Sequence, residues 1–412
     1  MIEQFCPNPV VLQRLSTGPL RAHINAVGQQ LSQQGYTSSS AQYTMRLLAD
    51  LSSWLLRQAL TVADCNEQLA SEFLQDRYRR CRPHLHDRAA LRRLLEHLRD
   101  QGIIPIPIVE TETYDSDRLV GDFQHYLLKQ RCLAPTTVDY YIKTIQSFLR
   151  ERFRTKPLNV EALCPQDITD FMIQQARRYS SGRAKLFATA LRSFFRFLLQ
   201  RGAITHDLAQ MVPTVPNWRL STLPRFMKAE DVDCLLQTCD RTAPKGQRDY
   251  AILLLLARLG IRAGEVAALT LDDLDWEAGE LLIHGKGARH DRLPLPHEVG
   301  EALAIYLRHG RPPSATRQVF IRMRAPRRGF SDGQAVGTIV RRTLVQAGLT
   351  PALKGAHLLR HSLATTLLHN GASLTEIGEL LRHQNIETTR MYAKVDQGAL
   401  RALALPWPGG AA

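Results

Sequence analysis

Apolar residues recur at helical spacing through most of the chain, interrupted by two stretches that cannot continue a helix. The first is Gly102-Ile-Ile-Pro-Ile-Pro107, followed by the polar run Thr111 to Asp117; the second holds Pro213, Pro216 and Pro224. These breaks divide the sequence into a helical block at 1–110, a second at 115–210 and a longer block at 222–412. In the last block, Tyr250 to Leu259 is a strongly apolar helix. Asp272 to Trp276, Glu280 to His284 and Arg292 to Leu295 read as three short strands, with Gln318 to Arg322 as a further strand or a helix lead-in and Val336 to Gly348 as a helix. The fold class predicted is mainly α, helical domains followed by a mixed α+β domain with a small antiparallel sheet.

The first two blocks align with each other, as expected for an internal duplication. Leu91-Arg-Arg-Leu94-Leu95 through Leu98 to Gly102 and Ile104 matches Leu191-Arg-Ser-Phe194-Phe195 through Leu198 to Gly202 and Ile204 without a gap. Upstream, Met45, Leu48 and Leu51 match Ile142, Ile145 and Phe148, and Leu60 to Asp64 echoes Leu163 to Asp167.

Composition then narrows the partner. Of 412 residues, 53 are Lys or Arg against 39 Asp or Glu, a net charge of +14 that suits a polyanion ligand. The seven cysteines contain no C-x-x-C pair, so neither a disulfide framework nor a zinc site is expected. The longest apolar run is too short to span a bilayer and the N-terminus lacks the pattern of a signal peptide, so a soluble cytoplasmic protein is expected.

Candidate chemistry gathers between His357 and Tyr392. Leu358, Leu359, Leu363, Leu367 and Leu368 make one helix that stops at Asn370-Gly371, and Ser373 with Glu376 is a capping box opening the next. Thr388 and Thr389 start a third helix with Tyr392 near its first turn. His357 and Arg360, three residues apart, share a helix face and can reach one anionic oxygen. His357 and His361 also have the i, i+4 spacing of zinc enzymes, but the intervening Glu is missing and Arg360 would repel a cation, so no metal is expected. No phosphate loop of the G-x-x-x-x-G-K-[ST] type is present, and no cofactor is expected.

This segment resembles the C-terminal box of the tyrosine recombinases, the phage-integrase and Xer-like enzymes: His-x-x-Arg, then a His, then the nucleophilic Tyr nine residues later. His357, Arg360, His383 and Tyr392 occupy those positions. Arg262 with Glu265, and Lys286 between the runs Leu281-Leu-Ile-His and Arg292-Leu-Pro-Leu, supply the family's earlier Arg and hairpin Lys. The resemblance covers residues 115–396. One departure stands out: Arg382 occupies the position before the His where the family commonly has Gly.

The resemblance implies a DNA strand-exchange enzyme closing as a C-shaped clamp, with 115–210 as its core-binding SAM-like domain and Arg177, Arg178, Arg183 and Lys185 suited to phosphates. Tyr392 would form a 3′-phosphotyrosyl link, Arg262 and Arg360 would clamp the phosphate, and Lys286 would protonate the leaving oxygen. His357 would act as base or proton relay and His383 would bind the phosphate or position the tyrosine. The implied partners are double-stranded DNA with paired sites and a homotetramer, acting alone or with related recombinases of a prokaryotic mobile element at the nucleoid. Two other readings share parts of this set, a type IB topoisomerase-like nicking and closing enzyme and a catalytically silent DNA-binding accessory protein.

Overall fold

A computed structural model describes residues 9–106, 115–153, 157–216, 225–285, 289–385 and 387–394. The described residues within Met1–Ile106 and Thr222–Ala412 make one compact unit, and those within Pro107–Ser221 make the second.

The second unit is a helical bundle of α6 (Asp115–His125), α7 (Pro135–Phe153), α8 (Pro165–Arg178) and α9 (Ser181–Gln200). Its core is aromatic: Phe123, Phe148, Phe171, Phe194 and Phe195 are buried, with Phe148 edge-on to both Phe171 and Phe195. Such contacts favour one defined packing over a fluid one.

In the first unit, the N-terminal helices are α1 (Pro9–Thr17), α2 (Arg21–Gln33), α3 (Ser38–Arg57), α4 (Glu67–Tyr78) and α5 (Asp87–Asp100). Thr37 caps α3 by accepting the backbone N–H of Ser40. In α5, Leu91, Leu94, Leu95 and Leu98 are buried, the i, i+3, i+4, i+7 stripe of an amphipathic helix. These helices enclose their own core and also touch the C-terminal half. The backbone N–H of Arg327 donates to the Gln34 carbonyl at 2.9 Å. Gly35, at φ +74°, lies beneath the Arg327 side chain, and a Cβ there would come within 2.3 Å of Arg327 Cδ. Glycine is needed at that position both for its backbone angle and for the approach.

The C-terminal half is built on α10 (Ala229–Gln237), α11 (Pro244–Arg258) and α12 (Ala263–Ala268), followed by β1 (Leu274–Asp275), β2 (Glu280–His284) and β3 (His290–Pro294). After them come α13 (His297–Ile305), α14 (Gly333–Gln346), α15 (Ala356–His369), α16 (Leu374–Leu380) and α17 (Glu387–Arg390). Ala251 through Leu256 on α11 are all at 0% exposure. A helix apolar on every side belongs at the centre, and α11 is the post around which the others pack. The strands form one antiparallel sheet in the order β1-β2-β3, with Glu280 opposite Pro294 and His284 opposite His290.

Two local expectations shift. The first strand is shorter than expected because Leu271–Asp273 is a 3-10 turn, closed by the Asp273 carboxylate accepting the N–H and hydroxyl of Thr270, each at 2.8 Å. Gln318 to Arg322 forms only isolated bridges, Thr270 to Gln318 and Ile321 to Gly329. The Arg311 guanidinium donates to the carbonyls of Thr316, Gln318 and Val319, which ties this segment to a side chain as well as to the bridges.

Candidate active site

Arg262 ends the segment leaving α11 and caps α12, where the Glu265 carboxylate accepts the Arg262 backbone N–H at 2.9 Å and its Nη1 at 2.9 Å. Glu265 also accepts from Arg382 Nη2 at 2.7 Å. Burial pushes the Glu265 carboxyl up, but the Arg262 N–H, Arg382 and the Arg262 guanidinium outweigh it and hold the group below the usual carboxylate range. One buried carboxylate is therefore shared by two guanidinium groups.

A third is next to them. Arg360, on α15, is 4% exposed, and its two Nη atoms donate to the carbonyls of Gly260 and Leu381. Gly260, at φ +59°, permits this: a Cβ would meet Leu381 Cδ2 at 2.6 Å. Burial first, then Arg262 and Arg382, push the Arg360 pKa down to about 10, so it stays a cation at neutral pH. Three cations near one carboxylate leave excess positive charge at a partly buried site, the electrostatic signature of an anion site.

Arg382 adopts φ +54°, the left-handed region that glycine enters freely and other residues at a cost of roughly 1–2 kcal/mol. This explains the glycine common at that position in the family. Here the ion pair with buried Glu265 offsets the backbone cost. Arg382 Nε and Nη1 are buried and have no hydrogen-bond partner among the described residues.

Tyr392 is 1% exposed, packed with Ala364, Ile377 and Leu381. It sits in the 3-10 turn Met391–Lys394 that follows α17, rather than in the first turn of a helix. Burial raises its pKa to about 12, which nearby Arg360 partly opposes. Its hydroxyl is 2.8 Å from Nδ1 of His361.

That partner is the residue sequence reasoning missed. His361 figured only as a metal candidate, although its i, i+4 relation to His357 already placed it on the same helix face. Burial first, then His357 and Arg360, push its pKa below the usual histidine value, so its ring is neutral at neutral pH. His357, expected as the base, lies one turn away with its ring 6.3 Å from that of His361. Its outer edge is exposed, while the protein mass behind it and then Arg360 and Arg262 lower its pKa.

His383 bonds through Nδ1 to Thr389 Oγ1 at 2.8 Å, not to the tyrosine hydroxyl. It holds the short helix that precedes Tyr392. Burial, then Arg360, Arg262 and His361, lower its pKa to about 4. Lys286 lies outside the described residues; the strands on either side, β2 and β3, pair in register up to His284 and His290. Arg177, Arg178, Arg183 and Lys185 belong to the other unit, all exposed, with the Arg183 guanidinium 4.6 Å over the Tyr179 ring. The structure thus brings together Arg262, Arg360, His357, His383 and Tyr392, and adds His361 and Arg382.

Residues 225–398 match the model of the phage integrase family, and residues 119–204 match that of the phage integrase N-terminal SAM-like domain. Over 411 residues the chain is 44% identical to the putative integrase/recombinase y4rA of Sinorhizobium fredii, with all of both chains covered. It is 31% identical over 288 residues to the tyrosine recombinase XerD of Listeria innocua, covering 69% of this chain and 96% of that one. Among solved structures, the XerH site-specific recombinase bound to a palindromic difH substrate shares the fold with a TM-score of 0.55 and 19% identity, covering 73% of this chain and 99% of XerH. Among the described residues, no helix is long and apolar enough to cross a membrane.

Proposed function

The chain belongs to the phage integrase family, Xer-like tyrosine recombinases that exchange DNA strands at specific sites, and on that premise we propose that Tyr392 is the nucleophile and that His361 takes its proton. The observation that carries this reading is a buried tyrosine hydroxyl 2.8 Å from Nδ1 of His361, beside Arg360 and a carboxylate shared by Arg262 and Arg382.

The chemistry follows from charge. In-line attack on a phosphodiester builds negative charge on the non-bridging oxygens, and fixed guanidinium groups stabilise it without reorganising. Arg360 is held by two carbonyls and Arg262 by Glu265, so both are preorganised, and Arg382 is a positioning residue acting through Glu265. Tyrosine at a raised pKa needs a base. Its proton passes to His361 Nδ1 as the phenolic oxygen bonds to phosphorus. The bond from phosphorus to the 5′ oxygen breaks, and Lys286 supplies that oxygen's proton. A 5′ hydroxyl from the other duplex then attacks the phosphotyrosine, passing its proton to Lys286, while the bond from phosphorus to Tyr392 breaks and the phenolic oxygen takes its proton back from His361. Bond energy is conserved in the protein–DNA link, and the reaction consumes no nucleotide.

A buried hydroxyl reaches no phosphate. Tyr392 must leave the Ala364, Ile377 and Leu381 pocket when DNA binds, carrying α17 with it. Exchange between two duplexes cuts four strands, and each protomer carries one Tyr392, so the working assembly is a tetramer on paired sites. The similarity of the chain to bacterial recombinases supports a prokaryotic chromosome or mobile element as the substrate.

Recovery of protein-linked DNA from cells under denaturing conditions tests the assignment. The expected result is a covalent adduct concentrated at one repeated sequence, with the DNA on the peptide containing Tyr392. Adducts scattered over the genome would favour nicking and closing without strand exchange. No adduct, even with a nicked substrate that prevents religation, would make the chain an accessory DNA-binding protein.

The role of His361 predicts a pH profile. Only the neutral ring accepts a proton, so single-turnover cleavage should rise with pH as His361 deprotonates, and level off below the pH expected of an ordinary histidine. His361→Ala should lower the plateau roughly 100-fold and remove that limb. An unchanged acid limb in the variant would assign the proton transfer elsewhere.

A further inference from the structure

The helices on the two sides of residue 107 follow one plan. In each, a left-handed residue, Gly35 at φ +74° or Cys132 at φ +48°, leads into a long helix, α3 or α7. A 3-10 turn follows, Val62–Asp64 or Val160–Ala162, and then a third element, α4 or α8. The last helix, α5 or α9, ends at a left-handed glycine, Gly102 at φ +69° or Gly202 at φ +68°. Two residues further on, Ile104 and Ile204 are buried.

The cores correspond as well. Met45, Leu48 and Leu51 are buried as are Ile142, Ile145 and Phe148, and Phe73 is buried as is Phe171. The turn Val62–Asp64 matches Val160–Ala162, not the α8 cap at Cys164 to Asp167 that the sequence alignment suggested. Amphipathic helices resemble one another by periodicity alone. Two left-handed hinges and a 3-10 turn at matching places are not required by periodicity, so they mark a repeated fold.

We infer that residues 9–106 are a second copy of the helical module at 115–216, and that this copy binds duplex DNA through the arginine-rich corner between α4 and α5. The inference goes beyond the strand-exchange reading, because it needs no catalytic residue.

The corner is the observation that names the ligand. Counting from the starts of α4 and α8, Arg79 and Arg80 occupy the positions of Arg177 and Arg178. Arg79, Arg80, Arg82 and Arg88 are all exposed, with His84 and His86 exposed between them. Arg80 is paired with Asp76 at 2.5 Å, whereas Arg79, Arg82 and Arg88 make no ion pair among the described residues. The other carboxylate at the corner, Asp87, is fully buried and bound to Tyr43 and Arg77. It does not neutralise the exposed guanidinium groups. A concentration of exposed, unpaired arginines with its acid turned inward suits a phosphate backbone. A protein partner would need apolar area, and Leu85 is the one large apolar side chain among residues 79–88 that is exposed.

The test uses the full chain and a fluorescein-labelled duplex of mixed sequence, titrated over a salt series. Each phosphate neutralised contributes about 0.9 to the slope of log K against log salt. Replacing Arg79, Arg82 and Arg88 together by Ala should reduce that slope by about 2 to 3, and replacing the same three by Lys should preserve it. The single Arg82→Ala, at an exposed position, should lower it by about 1 and carries the test should the triple variant lose its helical circular dichroism. An unchanged slope in a folded Ala variant overturns the inference. So does an unchanged slope accompanied by a lost self-association, which would assign the corner to a second copy of the chain. Arg177, Arg178 and Arg183 replaced by Ala give the parallel measurement on the other module. A drop there without a drop in the first refutes this inference alone.

Discussion

Tyr392→Phe will bind DNA as the parent does and form no covalent complex. The phenylalanine ring keeps the packing against Ala364, Ile377 and Leu381 and removes only the hydroxyl that faces His361. Loss of one hydrogen bond changes stability by about 1 kcal/mol, so the variant folds and any loss of activity is chemical. A nicked substrate that traps the cleaved state, followed by denaturing electrophoresis, reads the outcome directly. The adduct should fall to background. A residual adduct of parental yield would move the nucleophile to another of the eleven tyrosines. An adduct lost together with DNA binding would point to a folding defect, and melting temperatures separate that case.

Arg360→Ala will be nearly as severe, for two reasons that can be measured apart. Removing one preorganised donor from the developing charge costs roughly 1000-fold in rate, about 4 kcal/mol in the barrier. The truncation also leaves the carbonyls of Gly260 and Leu381 without their donor in a buried setting, at about 1–3 kcal/mol of stability for each. We therefore expect a lowered melting temperature together with single-turnover cleavage at least 1000-fold slower. Arg360→Lys will not rescue it. A lysine is a single point charge and cannot reach two carbonyls while also facing a phosphate. Arg262→Ala should show the rate loss with less destabilisation, because Arg262 is 37% exposed while Arg360 is almost wholly buried. A cleavage rate within tenfold of the parent in Arg360→Ala would remove this residue from the phosphate clamp.

The two histidines at 357 and 361 show where reading the sequence runs out. Both lie on one face of α15, and helical spacing places them there without any tertiary information. Which of them meets the nucleophile depends on where α17 and the turn after it cross α15, and no local signal carries that crossing. Burial of Tyr392 has the same origin: its neighbours Ala364, Ile377 and Leu381 come from α15, α16 and the residue that caps α16. Arg382 is intermediate. Its occupation of a glycine position is visible in the sequence, but the carboxylate that makes the strained backbone tolerable is Glu265, 117 positions earlier in the chain.

What the sequence by itself determined is the set of local elements: the capping box at Ser373 and Glu376, the stops at Gly102, Gly202 and Gly371, the buried stripe of α5, the three short strands, and the spacing of Arg262, His357, Arg360, His383 and Tyr392. Capping, helical period and turn chemistry act within a few residues, so a one-dimensional pattern suffices for them. The tertiary structure alone decided that the guanidinium groups of Arg262 and Arg382 share one carboxylate beside Arg360, that His361 holds the tyrosine, and that Arg327 rests on Gly35. Those contacts join residues far apart in the chain, and their geometry is set by how helices with buried faces pack against α11, which no single segment encodes.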